Sequence, residues 1–379
     1  MPATIEDDGE AAVPTEPPLD DHAACILAAA RALGIDATVI VGQPGPDRER
    51  APYVHFSLHG REWYYRRGRL RIAPQGFGVA GSKHINAGVL PLTKSKHRSK
   101  RLLWRLGFNT PKGGRYRPEQ IEAARQKFLS FGRPVCVKPD LGRKGRNVFT
   151  RIATLPEFEA AFAACAAQGR VVVEEHLTGT AVRMFYVEPR VVAVRIMNPA
   201  NVTGDGRSTI AALVEARNAE RQLRTTPGHV PFVIDDEVVR FLATQGLTLD
   251  DVPPAGERVF LRGTSNTSTG GEGVDAGGRL HPSHTAEVER LCRAVSEHRG
   301  TVWRIGVIDL IVGDIAAPAA PGNHWVLELN SSPGLLPYMY PWEGPPADVA
   351  RAIVERVKAG GWEDALPADL MLPQRTSLT

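Results

Sequence analysis

Four cysteines, Cys25, Cys136, Cys165 and Cys292, are all that the 379 residues contain, and no two of them form a CxxC pair. This excludes a zinc site or disulfide framework readable from spacing, and it fits a reducing cytoplasm. No apolar run approaches the ~18 residues of a membrane span. The opening "MPATIEDDGEAAVPTEPPLDD" is acidic and proline-rich, unlike a signal peptide. There is no strong excess of either charge. A net charge of +4 makes no electrostatic case for nucleic acid and only mildly favours acidic ligands. A Walker A loop and a GxGxxG after a strand are both missing, as is any internal repeat. What is there, 42% hydrophobic and 23% charged residues, is ordinary for a soluble globular protein with room for two or three domains.

Residues 1–20 have little to bury and read as a disordered tail. "DDHAACILAAARALG" predicts a helix with an acidic start and a glycine stop, and "ATVIVG" a strand. "YVHFSLHGREWYYRRGRLRIA" alternates about His59-Gly60 and Arg67-Gly68 as a β-meander. Together they form an N-terminal α/β unit over 21–92. Two helices follow, "KSKHRSKRLLWRLGF" and "RPEQIEAARQKFLSFG". The pattern then runs through the strand "PVCVKP", the loop "DLGRKGRN", the helix "LPEFEAAFAACAAQG" and the strand "RVVVEEHL". A hairpin turns at Glu188-Pro189-Arg190, and a helix opens at Ser208. A proline-rich connector leads to "ERVFLR" and the loop "GTSNTSTGGEG". The helix "SHTAEVERLCRAVSEHRG", the strands "RIGVIDLIV" and "HWVLELN", and the helix "PPADVARAIVERVKAG" complete a domain over 93–360. Residues 361–379 read as a weakly structured tail.

Side chains two apart on a strand share a face, so Glu328 and Asn330 project together, with Leu327 and Leu329 turned the other way. An edge strand with a wet face would look the same. Asp309, however, stands in the otherwise apolar strand just before, where an unpaired carboxylate is costly. Carboxylates on successive strands with an amide oxygen suit a hard cation such as Mg²⁺, which usually shares its shell with water and phosphate. The metal thus implies a nucleotide. Lys138 leaves a buried strand before Gly142 and Gly145, in a loop with Arg143, Lys144 and Arg146, a group that can hold phosphate or be a solvated basic turn. Glu174 in "VVVEEHL" could meet an adenine amino group and ribose, or be plain strand. Arg262 and Asn266 open a donor-rich loop able to cradle an oxyanion or to serve as a linker. Arg183 and Arg195, on the two strands of one hairpin, are candidates for a substrate carboxylate or for ordinary salt bridges. The basic run Lys94–Arg105 carries an apolar stripe of Leu102, Leu103 and Leu106, which favours a helix with a solvated face over a nucleic-acid surface.

In order along the chain, these segments resemble the ATP-grasp carboxylate–amine ligases, and within them the ATP-grasp part of cyanophycin synthetases and of bifunctional glutathione synthetases. The resemblance covers residues 85–358. It is carried by "SKHRSKRLLWRLGFNTPKG", "VCVKPDLGRKGRNV", "VVVEEHLTG", "NVTGDGRSTIAALVEARN", "DDEVVRFLATQGLTLDDVPPAGERVFLR", "NTSTGG", "GVIDLIV" and "LELNSSPGL". It implies an α/β (α+β) ATP-grasp fold with the small N-terminal α/β domain in front, and ATP with two Mg²⁺ ions as cofactors. Lys96, with Lys100 as its competitor, and Lys138 would contact ATP phosphates. Residues 142–148, including Gly142, Gly145 and Asn147, would form a mobile lid, and Glu174, Glu175 and Leu177 would hold adenine. Arg262 would meet the transferring phosphoryl group, and Arg262 and Asn266 the oxyanion. Asp309, Glu328 and Asn330 would bind the metal ions, with Glu328 bridging. Arg183, Arg195, Ser268, Gly270, Ser332 and Gly334 would shape the substrate pocket. Ala181 stands where the family usually has a ribose-holding acid, and Ser95 where an acid usually precedes Lys96.

The implied reaction is ATP-dependent amide formation between a carboxylate and an amine, amino acids or a small peptide, through an acyl phosphate. The alternatives are a small-molecule kinase on the same nucleotide site and a non-catalytic nucleotide-binding module. No ligase domain with its own P-loop follows residue 360, so a stand-alone ligase making one amide bond is expected. The expected partners are small molecules only, with no nucleic acid and no membrane; a homo-oligomer is compatible with all of this.

Overall fold

The computed structural model describes residues 18–42, 51–142 and 147–365. The expected tails over 1–17 and 366–379, and residues 143–146 of the expected lid, lie outside the described residues. Asp20 caps α1 (Asp21–Ala32) by accepting the Ala23 N–H. Strands β1 (Ala37–Gly42), β2 (Ala51–Leu58), β3 (Arg61–Arg66), β4 (Arg69–Pro74) and β5 (Lys83–His84) then form the expected meander, with neighbours antiparallel in chain order. Alternation sends Val54, Phe56, Trp63, Tyr65, Leu70 and Ile72 to one face, under α1.

Helices α2 (Leu90–Thr93) and α3 (Lys96–Arg105) lead to a four-stranded sheet. It comprises β6 (Gly113–Tyr116), β7 (Val135–Pro139), β8 (Phe149–Ile152) and β9 (Val171–Glu175) in the order β6-β9-β7-β8, with α4 (Ile121–Phe131) between β6 and β7 and α5 (Leu155–Ala166) between β8 and β9. Phe128, Phe158 and Phe162 fill the core between helices and sheet. The second large sheet starts with the hairpin β10 (Thr180–Val187) and β11 (Arg190–Asn198). An excursion follows through β12 (Asn201–Thr203), α6 (Ile210–Leu223), α7 (Asp236–Ala243) and β13 (Arg258–Phe260), with its own small core around Val214, Phe232 and Leu242. Helix α6 opens at Thr209, one residue after the expected Ser208, because the Thr209 hydroxyl takes the Ala212 N–H. The region read as a proline-rich connector contains α7, whose cap Asp235 accepts from Glu237 and Val238. Strand β14 (Glu272–Asp275), helix α8 (Pro282–Arg299), strands β15 (Ile305–Val312) and β16 (His324–Asn330), and helices α9 (Leu336–Met339) and α10 (Val349–Lys358) complete the chain. The second sheet has the order β14-β11-β10-β15-β16, antiparallel throughout. Segregated antiparallel sheets make the fold α+β. No helix among the described residues is long and apolar enough to cross a membrane.

One face of this second sheet, with Met184, Ile308, Leu310 and Val326, packs on α8. The other face, with Phe185, Val187, Ile305 and Val307, enters the core of the N-terminal unit beside α1 and α10. The unit over 21–92 is therefore joined to the following domain by one shared core. Trp362, 1% exposed, belongs to that core and donates to Glu188 at 3.0 Å, so residues 361–365 are docked where a weak tail was expected.

The β3–β4 turn closes against the bend after β16. Gly68 has φ +74°, and a Cβ there would lie 2.5 Å from the Pro333 carbonyl oxygen. Gly68→Ala should therefore carry both left-handed strain of about 1–3 kcal/mol and a clash with backbone. Gly60→Ala, at φ +66° with no atom within 4 Å of its Cβ, should carry the strain alone. Thermal unfolding of the two variants should show the larger fall in Tm for Gly68→Ala; equal falls would mean that the turn does not bear on the bend.

Candidate active site

Asp275, Arg195, Arg183, Asp309 and Glu328 are register partners in turn across β14, β11, β10, β15 and β16. Partners in an antiparallel ladder point the same way, so a row of charge crosses the whole sheet. Arg195 pairs with Asp275. Arg183 grips Asp309 with two donors, Nε to Oδ1 at 2.5 Å and Nη2 to Oδ2 at 3.3 Å. Glu328 ends the row, and Lys96 reaches it from α3 at 3.5 Å. Burial lifts the Asp309 carboxyl above its usual range; Arg183 opposes this and Glu328 adds to it.

A bulge sets the end of the row. The pairing passes from Asp309–Glu328 to Leu310–Val326 and leaves Leu327 without a partner. Val326 and Leu329 therefore both enter the core, and Leu327 does not share the face of Leu329 as simple alternation required. Glu328 and Asn330 keep their common outward face, and the Asn330 side chain accepts the Ser332 N–H at 2.9 Å. Two facing carboxylates and an amide oxygen, with neither sulfur nor imidazole beside them, are a donor set that fits Mg²⁺. Among the described residues no group of three or more His, Cys, Asp or Glu is placed to hold a metal. A cation here would take its remaining ligands from water and phosphate, as Mg²⁺ commonly does.

The central sheet brings a second cluster to α3. Lys100 from α3 and Lys138 from β7 both pair with Glu174 of β9, and all three are buried. Burial pushes Lys100 down to about 8 against the pull of Glu174. In Lys138 burial acts in the same sense, but Glu174 outweighs it and raises the ammonium above the lysine range. Burial opposes the charge of Glu174, which the two lysines hold below the carboxylate range. Lys96 links the two clusters: its ammonium donates to the Gly142 carbonyl at 3.2 Å and faces Glu328. Ser95 caps α3, and its hydroxyl and the His97 N–H both donate to Asp140. Asp140, one residue past the Lys138-Pro139 strand end, thus supplies a carboxylate at a helix start where Ser95 brings none. Sequence reasoning passed over it, although an acid directly after the lysine-bearing strand was a signal.

The other expected residues fall into three groups. Asn147 offers its carbonyl to Cys165 at 3.3 Å, Glu175 accepts the Lys112 N–H at 2.9 Å and pairs with Arg133, and Leu177 follows β9 half-buried. Gly145 lies outside the described residues. The side chain of Glu174, expected toward adenine, faces the lysines. Arg262 stands apart from the charged row: Asp235 and Glu237 each bind it at 2.7 Å. Behind it, Asn266 opens the short turn 267–269, Ser268 is exposed, and the Gly270 carbonyl accepts from the buried Arg221. Gly263 lies against Thr150 of β8, which brings this loop beside the central sheet. Arg195 requires a correction: 1% exposed, it uses Nη1 and Nη2 on Asp275 and on the carbonyls of Val194, Tyr338 and Pro345. It is a framework residue that anchors the row. Ser332 and Gly334 sit in the bend after β16, held by His84 and against His22. Nothing in the sequence marked His84, since 248 residues separate the partners.

Glu174→Gln would leave two buried ammonium groups without their counter-ion. Breaking a buried charge cluster in this way costs about 3–5 kcal/mol. Urea unfolding at pH 7 should show a loss of that size, and a loss below 1 kcal/mol would contradict the geometry. A carboxylate held low in the fold contributes stability above its unfolded value, about 4.3, and loses it on acidification. The gap between wild type and variant should therefore narrow below about pH 4.

No family model matches the chain. Cyanophycin synthetase of Trichormus variabilis is 32% identical over 294 residues, covering 74% of this chain and 31% of that protein. The glutathione biosynthesis bifunctional protein of Streptococcus mutans is 33% identical over 266 residues, covering 68% and 34%. The chain thus spans about a third of the length of these curated relatives. The crystal structure of a bifunctional glutathione synthetase from Pasteurella multocida superposes with a TM-score of 0.58 at 23% identity, covering 89% of this chain and 43% of that one. Its fold is shared. In fold and in sequence, the chain belongs to the ATP-grasp superfamily of carboxylate–amine ligases.

Proposed function

We propose that this chain joins a carboxylate to an amine at the expense of ATP, giving an amide, ADP and phosphate. The observation that carries the reading is the meeting, at α3, of the paired carboxylates Asp309 and Glu328 with Lys96, beside the Lys100–Glu174–Lys138 cluster. ATP phosphates bound there would meet Lys96 and Lys138 as fixed positive charge. Asp309, Glu328 and Asn330 would hold Mg²⁺, two ions in all, which would neutralise phosphate charge. Arg183 holds Asp309 in place, and its bidentate grip keeps that carboxylate aimed along the row. Arg262 and Asn266 would face the transferring phosphoryl group and the oxyanion formed when the amine attacks the acyl phosphate. Asp235 and Glu237 hold the Arg262 guanidinium at the start of that loop. Ser268, Gly270, Ser332 and Gly334 would line the acid and amine sites. The names of the relatives point to amino acids or small peptides as substrates. Four buried free cysteines suit a reducing cytoplasm.

The test is product chemistry. With Mg²⁺, ATP, an acid and an amine from a panel of amino acids and dipeptides, ADP and phosphate should form in equal amounts with one amide. Oxygen-18 in the acid should appear in the phosphate, and hydroxylamine should trap the acyl group as a hydroxamate. A stable phosphorylated product without free phosphate would establish a kinase instead. Glu328→Gln should keep the fold and lower turnover more than a hundredfold, the equivalent of about 3 kcal/mol of transition-state stabilisation. Near-normal turnover would remove Glu328 from the metal site.

A further inference from the structure

The bend that follows the proposed metal-binding face is held mostly by the N-terminal unit and by α2, whose last residue is Thr93. Asn86 Nδ2 donates to the carbonyls of Ser331 and Ile305 at 2.9 and 2.7 Å. The Thr93 and Ser331 hydroxyls meet at 2.7 Å, and His22 Nδ1 accepts the Leu335 N–H at 3.0 Å. Gly68 closes on Ser332 and Pro333. In the middle of this grip stands His84, 8% exposed, with Nε2 3.1 Å from the Ser332 hydroxyl.

The partners of His84 fix its proton. Its Nδ1 accepts the backbone N–H of Asn86 at 2.9 Å, a donor that cannot reverse. A neutral imidazole accepting at Nδ1 carries its hydrogen on Nε2. Nε2–H must then donate to Ser332 Oγ, and the Ser332 hydroxyl receives a bond without using its own hydrogen. No other group among the described residues is bonded to that hydroxyl, which is half-buried two residues from Asn330. Protonation of His84 is opposed by burial and by Arg69, Arg71 and Lys94, which together push it down to about 4. Arg71 lies directly across from it on β4.

We infer that His84 is a positioning residue, which forces the Ser332 hydroxyl to act as a donor toward an oxygen of the acid substrate's carboxylate. The N-terminal unit thereby takes part in acid recognition. The inference rests on the proposed ligase reading for its substrate and on the hydrogen-bond geometry for its chemistry.

Two measurements test it. In ¹⁵N spectra of the imidazoles, His84 should show the Nε2–H tautomer unchanged from pH 5.5 to 8. Its signals can be identified by their loss in His84→Phe, or by their shift in Ser332→Ala if the first variant does not fold. An Nδ1–H tautomer, or titration within that range, overturns the inference whether or not the ligase reading holds. In kinetics, His84→Phe and Ser332→Ala should each raise KM for the acid on the order of tenfold, the size of one lost hydrogen bond. KM for ATP should stay within twofold, and the double variant should be no worse than either single one. A matching rise in ATP KM, or additive effects, would also overturn it. Wild-type protein that forms no ADP product with any acid–amine pair would refute the ligase reading and leave the tautomer result to be judged by itself.

Discussion

A charge on a sheet face is tolerated only if something answers it, and here the answer runs from edge to edge. Asp309 sits in a strand whose neighbours are buried and apolar, so its carboxylate needs a partner within the fold. Arg183 provides that partner by register, and Arg195, the next residue in the row, is neutralised by Asp275 rather than left to repel Arg183. Only the Glu328 end stays open, 40% of its side chain exposed, with Lys96 at hand. The row therefore delivers one accessible carboxylate beside one braced carboxylate, the arrangement proposed above to hold a cation shared with phosphate. A one-residue slip of β15 would turn Asp309 into the core under α8.

The same sheet explains why the N-terminal unit is more than an appendage. The row with the charges and the row with Phe185 and Val307 lie on one face, and the second is buried against α1 and the meander. Covering half of the face leaves the other half as the floor of the site. The wall of that floor, the bend from Ser331 to Leu335, then falls within reach of His22, Gly68, His84 and Thr93. Packing and recognition share their residues here, so changes in the N-terminal unit will be felt in the site.

Much of this was legible in the sequence, for reasons that can be named. Elements with strong period and clear caps, such as α1, α8 and the β10–β11 hairpin, were read at nearly their observed bounds. Asp309, Glu328 and Asn330 stood out because polar residues in apolar strands are costly, and the ladder does bring them together. Helix α7 was missed because prolines on either side of it suggested a connector, although Asp235 is a good cap. The bulge at Leu327 was invisible, since alternation in the sequence assumes an unbroken pleat. Arg195 was misread for a deeper reason. Sequence shows that a guanidinium is present but not whether carbonyls from residues 338 and 345 have already taken its hydrogens.

Long-range partners matter most at Ser95 and Ala181, the two positions where the family resemblance implies an acid. An acid ahead of Lys96 would sit at the start of α3, where negative charge is favoured. Ser95 cannot supply it, yet Asp140 does so from the end of the central strand, accepting from Ser95 and His97 and pairing with Arg115 at 3.1 Å. Burial works against its charge, but these donors hold it below the carboxylate range. The same carboxylate thereby fastens α3, with Lys96 and Lys100, to the strand that carries Lys138. Ala181 has no such replacement in its own row, where it faces Ile311 across the ladder. At Ser95 a carboxylate from another segment thus ties the lysines of α3 to Lys138 on the central sheet, whereas at Ala181 no polar group stands in the row.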